Sequence, residues 1–117
     1  MSNRVEIRET IEKLSKILKA LSDPTRLEII LLLSLSELCV NDMVKEVGLS
    51  QPVISHHLRI LCEAGLVEPV RKGRFKYFKL VSKDLISALK AIFKAAKGDE
   101  NEIASCIYAL EEATEGD

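Results

Sequence analysis

The chain has 117 residues, enough for one domain around one core, and its 47% hydrophobic and 30% charged content is that of an ordinary folded protein. The longest apolar run, Ile29 to Leu33, is far too short to span a bilayer, and the acid-rich start (Glu6, Glu9, Glu12) has no apolar core of a secretory signal, so a cytoplasmic protein without membrane contact is expected. Net charge is −1, but residues 51–80 carry a net +4 while residues 98–117 hold seven acids and no Lys or Arg, so basic charge is concentrated in one stretch.

Residues 4–21 place Ile7, Ile11, Leu14, Leu18 and Leu21 at alternating steps of four and three, a helical stripe that needs a partner in the same chain or in a second subunit. Ser22-Asp23-Pro24 breaks this helix and starts another, with Asp23 as N-cap and Pro24 in the first helical position. Thr25 to Leu33 is apolar nearly all round and belongs in the core, with Arg26 and Glu28 as its exposed points. Ser34 to Ser36 leads out, and Glu37 to Val47 reads as a short helix with Leu38, Met43, Val44 and Val47 inward, closed by Gly48.

Residues 48–66, GLSQPVISHHLRILCEAGL, are the stretch around which the rest is organised. Ser50 is the expected cap. Ile54, Leu58 and Leu61, with Val53 near the start, turn inward; Gln51, Ser55, His56 and Arg59 fall on the polar face. Gly65 stands where a left-handed residue ends a helix. Two short helices joined by a Gly-containing turn make a helix-turn-helix over 37–64. The period then changes: 66–81 reads as a β-hairpin with a basic tip at Arg71-Lys72-Gly73-Arg74, and Pro69 implies a short or edge strand. Ser82 is placed to cap a helix reaching about Lys97, with Leu85, Leu89, Ile92 and Ala96 as its stripe and Gly98 as breaker; Asn101 to Ala113 forms a last helix, and Thr114 to Asp117 should fray.

The expected fold class is mainly α with a small β-hairpin, a winged helix-turn-helix filling residues 1–117 as a single domain, with 1–21 and 83–113 as dimerisation helices. The strings LKALSDPTRLEIILLL (18–33), ELCVNDMVKEVGLSQPVISHHLRILCEAGLV (37–67) and RKGRFKYFKL (71–80), about half of the chain, resemble the ArsR/SmtB family of winged-helix repressors in order and spacing. The resemblance implies a homodimer that binds operator DNA and leaves it when an effector binds.

The residues support a DNA surface in their own right. Gln51 and Ser55 suit base edges, Gln pairing with adenine above all; His56 suits a base or a phosphate, and Arg59 a phosphate. Arg71, Lys72, Arg74 and Lys76 suit the backbone or the minor groove, although each is also at home on a solvated hairpin. His57 lies nearer the buried side. Adjacent histidines in a helix point about 100° apart and do not chelate one ion.

The effector is less legible. Cys39, Cys62 and Cys106 form no CxxC pair and no disulfide framework. The arsenic-responsive branch of the family carries ELCVCDL where this chain has ELCVNDM, so Asn41 replaces the second thiol. A sulfur site for a soft metal or metalloid would then need Cys62 or Cys106 beside Cys39; a thiol oxidant is the other effector these cysteines suit, and a lone cysteine on an apolar face is equally a small core residue. The family's acid-and-histidine Zn(II) site on the C-terminal helix is missing its ligands, since 84–97 holds no His and only Asp84 as an acid. No catalytic or nucleotide-binding pattern is present, so an enzyme is not expected. Two other readings stay open: an interaction module that lost operator binding, which the acidic end favours, and a DNA-binding protein without an effector.

Overall fold

The computed structural model describes residues 3–115; Met1, Ser2, Gly116 and Asp117, and with them half of the segment expected to fray, lie outside the described residues. The element order is α1 (Arg4–Leu21), α2 (Pro24–Leu33), α3 (Val40–Val47), α4 (Gln51–Glu63), β1 (Val67–Lys72), β2 (Phe75–Leu80), α5 (Asp84–Ala95) and α6 (Glu100–Glu115).

Local chemistry sets most of the boundaries. Asn3 caps α1 by accepting the Glu6 N–H at 2.9 Å, and Asp23 caps α2 by accepting the Arg26 N–H at 3.0 Å, with Pro24 next to it. Gly48 ends α3 at φ 80°, a left-handed conformation that glycine takes without a Cβ penalty. At the end of α4, Gly65 takes φ 77°, its N–H bonds Cys62 O, and the Leu66 N–H bonds Leu61 O, closing the carbonyls of the last turn.

α3 starts three residues later than the sequence suggests. Leu38 exchanges two backbone hydrogen bonds with Phe78 of β2 (3.2 and 2.8 Å), which commits it to extended pairing. The Asp42 carboxylate then accepts the Cys39 N–H at 3.0 Å and fixes the helix start at Val40. Ser50 occupies the N-cap position of α4 but makes no side-chain cap bond, and Val53 is 40% exposed rather than inward.

β1 and β2 form an antiparallel hairpin in which Lys72 faces Phe75, so the loop is Gly73-Arg74 alone and Arg71 and Lys72 belong to the strand. Gly73 takes φ 64°, as the first loop position of a type II′ turn requires. Pro69 lies opposite Phe78. The backbone groups of Phe78 point outward to Leu38, so the pair does not bond across the hairpin and the N–H that proline lacks is not missed.

α5 ends at Ala95, two residues before the expected end at about Lys97. The left-handed residue there is Lys97 (φ 65°), and the Gly98 N–H bonds Phe93 O at 2.8 Å. A Cβ on Gly98 would collide with the Phe93 ring, so this glycine serves close approach rather than unusual φ. Ser82 Oγ accepts the Asp84 N–H at 3.1 Å, and α6 keeps Thr114 and Glu115 helical instead of frayed.

The core joins Leu21, Ile29, Ile30, Leu33, Met43, Ile54, Leu58, Leu61, Val67, Phe78 and Leu80, so α2 lies at its centre as its all-apolar surface requires. Leu85, Ile86 and Leu89 pack α5 on this core. The α1 stripe does not pack there: Ile7, Ile11, Leu14 and Leu18 are 45–55% exposed. Leu27, Leu31, Leu89, Ile92, Phe93 and Ile103 line an open apolar cavity of about 440 Å³ between α2, α5 and α6. The radius of gyration is 15.7 Å, against about 13 Å for a compact chain of this length, because these outer helices project. Among the described residues, no helix is long and apolar enough to cross a membrane.

Candidate nucleic-acid interface

The exposed face of α4 and the hairpin meet in one cleft. Cys39, Asn41, Gln51, Ser55, Arg59, Cys62, Phe75 and Lys76 line it, over a floor that includes Leu58 and Phe78. The core stripe of α4 (Ile54, Leu58, Leu61) anchors the helix and presents Gln51, Ser55 and Arg59 one turn apart on the open side. Gln51 Nε2 donates to Ser55 Oγ at 3.2 Å, so the amide and hydroxyl already form one polar unit. His56 is exposed and its Nδ1 lies 3.5 Å from Arg59 Nη2. Gln51, Ser55, Arg59 and Lys76 therefore share a cleft, and His56 lies beside it.

Strand alternation divides the wing bases. Arg71 pairs with Lys76 and Lys72 with Phe75, so the first pair shares the face that carries Val67, Pro69, Phe78 and Leu80. Lys76 Nζ lies 5.4 Å over the Phe78 ring. Lys72 is turned elsewhere: its ammonium contacts the Glu37 carboxylate and lies 5.5 Å from the Tyr77 ring. The Lys72 ammonium holds the Glu37 carboxyl below its usual range, and the carboxylate in turn raises the lysine. Among the described residues, Arg71 and Arg74 have no ion-pair partner, whereas Lys79 is paired with Glu68 at 3.4 Å. Sequence reasoning missed the Glu37 contact because its partners are far apart in the chain.

Arg26 was also missed as a structural hub. It is half-buried rather than exposed, as is Glu28, and its guanidinium donates to Ala20 O at 2.6 Å and Lys19 O at 3.3 Å. Its Nη1 lies 3.1 Å from His57 Nδ1. His57 is thus held on the inner side of α4, as its position in the helix suggests. The Asp23 carboxyl is held below its ordinary range, chiefly by the Arg26 N–H it accepts and then by the nearby Arg26 and His57, although burial opposes this.

Cys39 and Cys62 border the same cleft, while Cys106 is exposed on α6. Burial pushes the Cys62 thiol up, with Lys76 opposing. Among the described residues, no three His, Cys, Asp or Glu side chains gather into a metal-binding group. A three-sulfur site is therefore not formed within one chain, and the cleft supplies two soft donors.

Comparison with known proteins agrees with this architecture. The family model for bacterial regulatory proteins of the arsR family matches residues 23–69. The arsenical resistance operon repressor of Staphylococcus xylosus is 45% identical over 69 residues, which cover 59% of this chain and 66% of that protein. The arsenical resistance operon repressor of Escherichia coli K12 is 37% identical over 96 residues, covering 81% of this chain and 82% of that one. In structure, the chain is similar to a homodimeric winged helix-turn-helix DNA-binding domain of Mycobacterium bovis, a possible ArsR-family regulator (TM-score 0.72, 26% identity, covering 83% of this chain and 88% of that one). With the identity to the Escherichia coli repressor extending over most of both sequences, and with the helix-turn-helix and wing in the expected order, this chain belongs to the arsR family of bacterial regulatory proteins.

Proposed function

We propose that the protein is a homodimeric repressor that binds an operator through α4 and the wing. The observation that carries this reading is the single open cleft formed by Gln51, Ser55, Arg59 and Lys76. Gln51 and Ser55 read base edges in the major groove, His56 and Arg59 meet bases or phosphates beside them, and Arg71, Arg74 and Lys76 follow the backbone. The exposed stripe of α1 and the uncovered apolar surface of α5 and α6 pair two copies, which sets two α4 helices in successive major grooves of a near-palindromic site. Titration of its own promoter region against random duplex, by anisotropy at fixed salt, tests this; equal affinity for both refutes it.

Release from the operator is assigned to a soft metal or metalloid acting at the cleft thiols. Cys39 and Cys62 are the donors that such an ion prefers, and they stand beside the reading face. The two cysteines would supply the sulfur ligands, and the ion would tie them together. The chain's own part is to hold the two thiols on α4 and at the start of α3, where a change in their spacing acts on the recognition helix. Cys39→Ser, Cys62→Ser and Cys106→Ser are to be compared for operator release by As(III) and Cd(II). Loss of release in the first two supports the assignment, and no change in any of the three removes it.

A further inference from the structure

Resting on the reading of α4 as the recognition helix, we infer that Arg26 and His57 form a lock that positions α4 against the end of α1, and that a proton on His57 opens it. The lock is built from one planar side chain. Arg26 Nε and Nη2 donate to Ala20 O and Lys19 O, carbonyls of the last turn of α1, where Lys19 O also accepts the Ser22 N–H and hydroxyl at 3.2 Å each. Its remaining arm reaches His57 Nδ1 at 3.1 Å on α4, so a residue of α2 ties α1 to the recognition helix.

A guanidinium offers donors only and stays charged, so His57 Nδ1 accepts and the imidazole carries its proton on Nε2. A second proton removes that acceptor and sets two cations 3.1 Å apart. Asp23 Oδ2 stands 3.8 Å from the same nitrogen and is the partner that a protonated His57 would take instead. The charged and titratable groups facing His57 are Arg26 of α2 and Asp23, the N-cap of that helix, with His56 on its own helix at 5.8 Å between ring centroids. Lys16 and Lys19 of α1 and Glu63 of α4 border the neighbouring cleft that Arg26 also lines.

Since α1 carries the stripe assigned to pairing, the angle between α1 and α4 governs how two α4 helices are spaced across a dimer. Operator reading depends on that spacing, whereas attraction to phosphates does not. Opening the lock therefore lowers discrimination and leaves non-specific binding in place. Arg26 acts as a positioning residue, not as a DNA contact.

The test measures affinity for the promoter duplex and for a random duplex between about pH 5.5 and 8, where histidines titrate, at constant ionic strength. The ratio of the two affinities is expected to fall about tenfold toward the acid end, the loss of one hydrogen bond to a charged group. In His57→Asn, whose amide oxygen accepts in place of Nδ1 without titrating, the ratio stays near its alkaline value. In Arg26→Lys it is low throughout, and in His56→Asn the pH dependence persists. The imidazole 15N spectrum of the unaltered protein at about pH 8 is expected to show His57 protonated on Nε2. A proton on Nδ1, or an unchanged pH dependence in His57→Asn, overturns the lock. The spectrum decides even where a variant fails to fold. If the unaltered protein shows no discrimination at any pH, the reading of α4 fails, and the spectrum still tests the lock by itself.

Discussion

The wing makes a quantitative prediction because its four basic residues at and near the tip are not equivalent. Arg71 and Arg74 have no ion-pair partner among the described residues, and Lys76 opens into the cleft of α4, but Lys72 is engaged by Glu37. Each phosphate contact contributes about 0.9 to the slope of log K against log salt, and a substitution in a homodimer removes two. Arg74→Gln or Lys76→Gln should therefore flatten the slope by about 1.8, a twelvefold smaller loss of affinity between about 50 and 200 mM KCl. Lys72→Gln should flatten it by less than half of that, because Lys72 must leave Glu37 before it can meet a phosphate. Glu37→Gln should steepen the slope, by up to about 1.8, as it frees Lys72. Anisotropy titrations with a random duplex over a KCl series measure all four. If Lys72→Gln flattens the slope as much as Arg74→Gln, the Glu37 contact does not restrain the wing and the reasoning fails.

Three further outcomes follow from the fold. Lys97 holds φ 65°, a conformation that costs an L-residue about 1 kcal/mol, so Lys97→Gly should stabilise the protein by about that much and raise Tm by a few degrees in thermal melting. Asp23 has its carboxyl lowered below the ordinary 3.8 chiefly by the Arg26 N–H, so its stabilising effect is present above that value and is lost as pH falls through the lower folded value; Asp23→Asn, which cannot ionise, should flatten the acid limb of stability against pH in denaturant titrations. Leu14→Asp, in the middle of the exposed α1 stripe, should weaken dimerisation at least about a hundredfold by sedimentation while leaving the helical circular dichroism intact.

What could be read in the sequence was what is local or periodic. The core stripe of α4 appears as Ile54, Leu58 and Leu61 because helical repetition requires it, and the polar face follows by subtraction. Asp23-Pro24 announces the start of α2 because capping is a matter of adjacent residues. What could not be read is what depends on distant partners. The start of α3 moves because Leu38 pairs with Phe78, forty residues on in the chain and set by the fold of the hairpin. Arg26 looked like a solvent-facing point of an apolar helix, since backbone carbonyls of α1 leave no trace in side-chain identity and His57 lies on another helix. Lys97 and Gly98 show a subtler limit: glycine near a helix end suggests a left-handed residue, but here its missing side chain makes room for Phe93. In the candidate interface, Gln51, Ser55, Arg59 and Lys76 line one cleft, and their residue types single them out in the sequence, while the diversion of Lys72 to Glu37 needed the tertiary structure.

The central claim is that the open face of α4 reads DNA sequence. Its most direct measurement is the ratio of affinities for the promoter duplex and a random duplex in Gln51→Ala and Ser55→Ala at fixed salt. A lost base-edge contact is worth about 1–3 kcal/mol of discrimination, so the ratio should drop roughly tenfold or more while random-duplex affinity and its salt slope stay unchanged. Variants that keep the full ratio would place the reading face elsewhere and contradict the account.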